Sequence, residues 1–253
     1  MKVVAVIPAR MGSSRFPGKP LTKILDLPMV EHVRRRALLS KSVNEVIVAT
    51  CDQEIMDAVQ SAGGQAVMTS DKHERCTDRV EEAVRGSDAD IVIVLQGDEP
   101  LLGTDVIDRL IAPFKSNPDL LCTNLISIIK NEADLDDVDI VKAVLNQKKQ
   151  VLCFSRAGVP YRRVKSDCIF YRQTGFSAFR KLFLDQFSKL SPTPLEITES
   201  VDFMRILEHG YSILGVVGDE VTIGVDRPDD VGIVESILKD DPEQKKIYEA
   251  IRK

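Results

Sequence analysis

The sequence has no C-x-x-C pair. Its five cysteines, Cys51, Cys76, Cys122, Cys153 and Cys168, are scattered along the chain. That spacing gives neither a zinc site nor a disulfide framework, and it fits a reducing compartment. No apolar run reaches membrane-spanning length, so no membrane partner is expected. The apolar stretch within Met1–Arg10 is too short for a signal peptide, and the turn residues after it make it a strand; a cytoplasmic location is the expectation. An excess of positive charge is also missing: 34 Lys and Arg face 39 Asp and Glu, for a net charge of −5. Phosphate backbones reward clustered cations, so nucleic acid is not the expected partner. Neither G-x-x-x-x-G-K-[ST] nor G-x-G-x-x-G occurs where a phosphate loop is wanted, which removes support for P-loop and Rossmann readings. Repeats, low-complexity tracts and clear linkers are absent.

What remains is 253 residues, 43% of them hydrophobic. That suffices for one large α/β domain, or for a core with a smaller appendage. Val3–Ile7, Glu45–Thr50, Gln65–Met68 and Ile91–Leu95 read as strands. Met29–Ala37, Gln53–Ala62, Thr77–Val84 and Thr104–Lys115 read as helices, the second stopped by Gly63-Gly64. Ile91–Leu95 is almost wholly Val, Ile and Leu, as expected of a strand covered on both faces. This alternation predicts a mostly parallel sheet with helices on both faces. Ligands of such sheets bind at the carboxyl ends of the strands, which points to the loops after Ile7 and Leu95. Later, Leu121–Ile129, Val141–Phe154 and Ile169–Ala178 have strand character. Arg180–Leu190 and Leu195–His209 read as helices, Ser212–Val217 and Val221–Val225 as strands, and Pro228–Leu238 as a final helix.

The first of those loops reads Pro8-Ala9-Arg10-Met11-Gly12-Ser13-Ser14-Arg15-Phe16-Pro17-Gly18-Lys19-Pro20. Glycines let backbone N–H groups approach an anion, guanidinium forks bind phosphate oxygens in pairs, and lysine adds a compact charge. A triphosphate needs such an inventory. The plain alternative, a solvated basic loop, is weakened by its place after the first strand of an α/β sheet.

The motif P-A-R-x-x-S-x-R-x-P-G-K-P resembles the N-terminal signature of the sugar-acid cytidylyltransferases, most closely the 3-deoxy-manno-octulosonate (Kdo) cytidylyltransferases, or CMP-Kdo synthetases. The similarity continues through His73–Arg79 (family H-x-S-G-T-D/E-R), Leu95–Pro100 (Q-G-D-E-P), Phe154–Arg156 (F-S-R), Pro192–Glu199 (P-S-P-L-E-x-x-E) and Gly224–Pro228 (G-V-D-T-P). It implies a nucleotide-diphospho-sugar transferase-like α/β fold with a smaller dimerisation and acceptor region. Residues 1–120 and 212–253 would form the nucleotide-binding core and 121–211 the acceptor and dimer region of a single cytidylyltransferase domain. It implies a homodimer, with CTP and an acidic sugar as ligands.

Asp98 and Asp226 each follow a predicted strand. Alone, each is also a plausible turn former or helix cap. Together they suit magnesium, which takes one or two carboxylates plus phosphate oxygens and keeps several waters. In the family the matching aspartates hold the catalytic Mg²⁺. The implied reaction transfers CMP from CTP to the anomeric hydroxyl of a Kdo-type acid and releases pyrophosphate, for lipopolysaccharide or capsule synthesis. Arg10, Lys19, Asp98 and Asp226 are the candidate catalytic residues. Pro8, Ala9, Arg10, Ser13, Arg15, Lys19, Arg79, Gln96 and Asp98 are the candidate nucleotide contacts. Arg156, Gln173, Glu196 and Glu199 are the candidate acceptor residues. For the two glutamates the alternative is an acidic helix N-terminus. His32 and His209 read as capping or surface residues, whereas His73 is open between motif and polar loop.

The acceptor side departs from the family at Ser177, where tyrosine is usual, and at Phe203, where glutamine is usual; Cys76 replaces glycine and Arg227 replaces threonine. An amino-Kdo, a nonulosonic acid or a phosphonate is therefore an alternative acceptor. Two further readings are a non-catalytic nucleotide-binding protein, disfavoured by the intact cations and aspartates, and a glycosyltransferase. The D-x-D of a glycosyltransferase occurs here as Asp88-Ala89-Asp90, but ahead of its strand instead of after it.

Overall fold

The computed structural model describes residues 1–13, 15–164, 166–218 and 223–253. The chain divides into two compact units, Met1–Asp108 with Thr222–Lys253, and Arg109–Val221.

In the first unit, β1 (Val3–Ala9) leads to a hairpin of β2 (Lys23–Ile24) and β3 (Leu27–Pro28), then α1 (Met29–Ala37), β4 (Glu45–Thr50), α2 (Gln53–Ser61), β5 (Gln65–Met68), α3 (Cys76–Ala83) and β6 (Ile91–Val94). The strands pair in parallel in the order β6-β1-β4-β5. Every residue of β1 and β6 is buried, as their apolar composition demands. α2 stops where Gly63 takes φ 73°, a left-handed position that suits glycine. α4 (Val106–Ser116) contains the unit boundary.

The second unit holds β7 (Cys122–Ile128), β8 (Lys142–Leu145), β9 (Val151–Ser155), β10 (Tyr171–Arg180), α5 (Lys181–Phe187), α6 (Pro194–Glu199), α7 (Phe203–Glu208) and β11 (Leu214–Gly218). β7 pairs in parallel with β11 and antiparallel with β10, whose register shifts between Gln173 and Ser177. Asn124 spans this bulge by donating to the carbonyls of Thr174 and Phe176, at 3.2 and 2.9 Å. β8 pairs with β10 and β9.

The chain closes, back in the first unit, with α8 (Pro228–Asp240) and α9 (Pro242–Ile251). Val234, Leu238, Ile247, Tyr248 and Ile251 form one buried cluster with Ile24, Leu27, Met29 and Val225. This packing holds Val225, and with it the neighbouring Asp226, against the hairpin and α1.

Four expectations need correction. The single helix over 195–209 is two, α6 and α7, separated by Ser200 at φ 54°. Pro228–Leu238 is not the final helix: Asp241 accepts from Gln244 N at 2.8 Å and Pro242 opens a further helix, α9. His32 is neither cap nor surface. It is fully buried and stacks on Tyr248 at 5.6 Å, and burial lowers its pKa to about 4. The strand expected over 221–225 falls partly on residues 219–222, outside the described residues, and the described 223–225 are not a strand.

Candidate active site

β1 delivers Pro8 and Ala9 to the head of the basic loop, whose Gly18, at φ 74°, opens a single 3-10 turn, Lys19–Leu21. Gly97 allows the loop after β6 to lie close by. A Cβ there would meet the Pro8 carbonyl oxygen at 3.0 Å. Together with Asp226 these segments line a cavity of about 350 Å³, the size of a small-molecule site. Every candidate nucleotide contact lines it: Pro8, Ala9, Arg10, Ser13, Arg15, Lys19, Arg79, Gln96 and Asp98. Ser14 of the quoted motif lies outside the described residues.

Asp98 and Asp226 meet, but not through the strand ends the sequence suggested. β6 ends at Val94, and Val225 N donates instead to the Asp98 carbonyl at 2.9 Å. Both carboxylates then converge on one ammonium. Lys19 Nζ stands 2.7 Å from Asp98 Oδ2 and 3.4 Å from Asp226 Oδ1, while Arg15 Nη2 lies 3.2 Å from the latter oxygen. Two convergent carboxylates facing a cationic loop are an oxygen-only donor set. With phosphate oxygens and water such a set fits a hard divalent ion, magnesium in particular. No group of three or more His, Cys, Asp or Glu able to hold a metal occurs among the described residues.

Arg79 is buried, and its Nη1 donates to Thr69 Oγ1 at 2.6 Å, which fixes the guanidinium at the cavity wall. Gln96 Nε2 donates to Cys76 Sγ at 3.2 Å. His73 also lines the cavity and pairs with Glu82, whose carboxyl is held below its ordinary range first by the Ser70 N–H and then by His73.

Sequence reasoning missed Asp52. Its Oδ2 accepts from Met11 N at 2.8 Å and so anchors the basic loop to the end of β4. An aspartate opening a helix reads as a cap, and nothing local reveals this longer reach. Glu74, Arg75 and Cys76 also line the cavity. Their signal was the His73–Arg79 motif, used for Arg79 alone.

The acceptor candidates all lie in the second unit. Ser155 Oγ and Arg156 N donate to the Glu199 carboxylate at 2.8 and 2.9 Å, and Arg156 Nε donates to the Glu199 carbonyl at 2.7 Å. Gln173 is half-buried beside the β10 bulge. Glu196 is 1% exposed and holds Arg205 by two bonds, at 2.8 and 2.5 Å, and also accepts from Thr193 N at 3.2 Å. These bonds give Glu196 a structural task that the sequence did not disclose.

A cytidylyltransferase family model matches residues 4–213. A 3-deoxy-manno-octulosonate cytidylyltransferase from Geotalea daltonii is 41% identical, with 95% of this chain and 99% of the relative covered. The chain belongs to the 3-deoxy-manno-octulosonate cytidylyltransferase family. An 8-amino-3,8-dideoxy-manno-octulosonate cytidylyltransferase from Shewanella sediminis is 40% identical, over 94% of this chain and 99% of its own length. The solved structure of a CMP:2-keto-3-deoxy-manno-octonic acid synthetase complexed with CTP superposes with a TM-score of 0.90 at 37% identity, covering 94% of this chain and 99% of that one. This cytidylyltransferase therefore has the nucleotide-diphospho-sugar transferase-like α/β fold, a mostly parallel sheet with helices. No helix among its described residues is long and apolar enough to cross a membrane.

Proposed function

We propose that the chain transfers CMP from CTP to the anomeric hydroxyl of a Kdo-type 3-deoxy sugar acid. The hydroxyl oxygen attacks the α-phosphorus and gives its proton to solvent. The bond from the α-phosphorus to the bridging oxygen breaks, and pyrophosphate leaves. The observation that carries this reading is the convergence of Asp98 and Asp226 on Lys19 inside a cationic cavity, in a member of this family. Asp98 and Asp226 would hold Mg²⁺, which when bound supplies charge neutralisation at the phosphates and acidifies a nearby hydroxyl. Arg10, Arg15 and Lys19 bind the triphosphate and stabilise the charge that builds on departing pyrophosphate. Pro8, Ala9, Ser13, Arg79 and Gln96 orient the nucleotide, so that positioning supplies much of the rate.

Arg156, Gln173 and Glu199 are the proposed acceptor contacts, and the buried ion pair with Arg205 gives Glu196 a structural role in the same unit. By family resemblance the enzyme works as a cytoplasmic homodimer and supplies lipopolysaccharide or capsule synthesis. A second reading, 8-amino-Kdo as acceptor, is favoured by nearly equal identity to relatives of both names, 41% and 40%. Pyrophosphate release from CTP with Kdo and with 8-amino-Kdo, each with and without Mg²⁺, decides between them. Release with neither acid would refute the proposed reaction if CTP binds, and release without divalent ions would refute the metal role.

A further inference from the structure

Resting on the metal assignment to Asp98 and Asp226, we propose that Lys19 is the resident counter-ion of the divalent-cation position, and that its exchange with the metal couples metal binding to nucleotide binding. Its ammonium lies 2.7 Å from Asp98 and 3.4 Å from Asp226, with its side chain only 12% exposed. Two carboxylates brought this close repel each other unless a cation lies between them; Lys19 reaches both, with Arg15 also on Asp226. A magnesium ion binds carboxylate oxygens at roughly 2.0–2.1 Å. An ammonium 2.7 Å from Asp98 Oδ2 and a magnesium ion on the same oxygen would stand roughly 4 Å apart, where two like charges repel, so they compete for the carboxylate pair. Metal entry therefore favours departure of the lysine.

The backbone does not need to move for this. Lys19 N donates to Phe16 O at 3.3 Å and Leu21 N to Gly18 O at 3.0 Å, so the 3-10 turn stays fixed while the four-carbon stem swings. The same cavity carries Arg10 and Arg15, and an arriving triphosphate supplies the anion that draws the ammonium away. Nucleotide then frees the carboxylates for metal. By linkage, metal in turn frees Lys19 for phosphate. The nucleotide-free protein should hold divalent ions weakly.

Mn²⁺ titrated into the nucleotide-free full-length protein, with free Mn²⁺ read by electron paramagnetic resonance, tests the exchange. Lys19→Met should bind Mn²⁺ about tenfold or more tightly than wild type, and adding Asp98→Asn should remove that gain. Arg10→Met takes a positive charge from the same cavity without vacating the carboxylates, so its gain should stay within about twofold. Equal affinity in wild type and Lys19→Met, or equal gains in Lys19→Met and Arg10→Met, overturns the exchange. If Asp98→Asn alters Mn²⁺ affinity neither in Lys19→Met nor in wild type with CTP, the metal assignment itself has failed. Thermal unfolding checks the fold of each variant, and Lys19→Gln repeats the comparison should Lys19→Met unfold.

Discussion

The backbone N–H of Val225 donates to the carbonyl oxygen of Asp98 at 2.9 Å, tying two segments that are far apart in the chain into one site. Because the bond is between backbones, side-chain substitution at either aspartate leaves the juxtaposition intact. Asp98→Asn and Asp226→Asn should therefore each lower kcat by on the order of a hundredfold or more, while CTP affinity stays within about tenfold. Steady-state kinetics with calorimetric CTP binding check this, and near-normal turnover in both variants would remove the aspartates from the chemistry.

Asp52 holds Met11 N at 2.8 Å and so ties the basic loop to β4. A hydrogen bond to a charged group is worth roughly 1.5–3 kcal/mol. Asp52→Ala should raise the KM for CTP by about tenfold, with a smaller change in kcat. Asp52→Asn keeps an acceptor oxygen and should recover most of the loss. An Asp52→Ala enzyme with unchanged KM would show that the loop needs no anchor.

Glu196 and Arg205 are buried partners, 2% and 5% exposed at their side chains. Removing one member of a buried pair costs about 3–5 kcal/mol. Glu196→Ala should lower the thermal midpoint by roughly 6–20 °C for a chain of this size. Its KM for the sugar acid at a temperature where it is folded should hardly change. A large KM effect with little loss of stability would return Glu196 to the acceptor site.

His32 is buried against Tyr248 with Arg35, Arg36 and Glu31 as charged neighbours. Burial lowers its pKa from 6.5 to about 4, so below 6.5 the unfolded chain binds a proton that the folded chain refuses. Stability from this residue is complete above pH 6.5 and falls as pH drops towards 4, by roughly 3 kcal/mol in all. The pH profile of thermal unfolding should be flatter over that window in His32→Phe than in wild type. Parallel profiles would place the acid sensitivity elsewhere.

Much of the first unit and of its cavity lining was legible in the sequence. Apart from the β2–β3 hairpin, strands and helices up to β6 followed from apolar runs, alternation and glycine stops, all local signals. The loop cations, Gln96, Arg79 and both aspartates followed from motif resemblance. What brings the two aspartates together, a backbone bond at Val225 and not a pair of strand ends, was not legible. The break at Ser200 and the start of α9 were hidden. A left-handed serine and an aspartate cap each depend on packing around them as much as on local preference.

By itself, the order of residues determined the strand–helix alternation, the cationic loop after β1 and the family. Each is written in short stretches whose backbone preferences and side-chain charges are nearly independent of the rest. Only tertiary structure decided which groups touch: Lys19 between Asp98 and Asp226, Asp52 on Met11, Glu196 on Arg205, His32 beneath Tyr248. Those partnerships depend on distances between segments remote in the chain. Folding fixes such distances by burying apolar surface, a force without direction that brings segments together but does not show locally which polar atoms will meet.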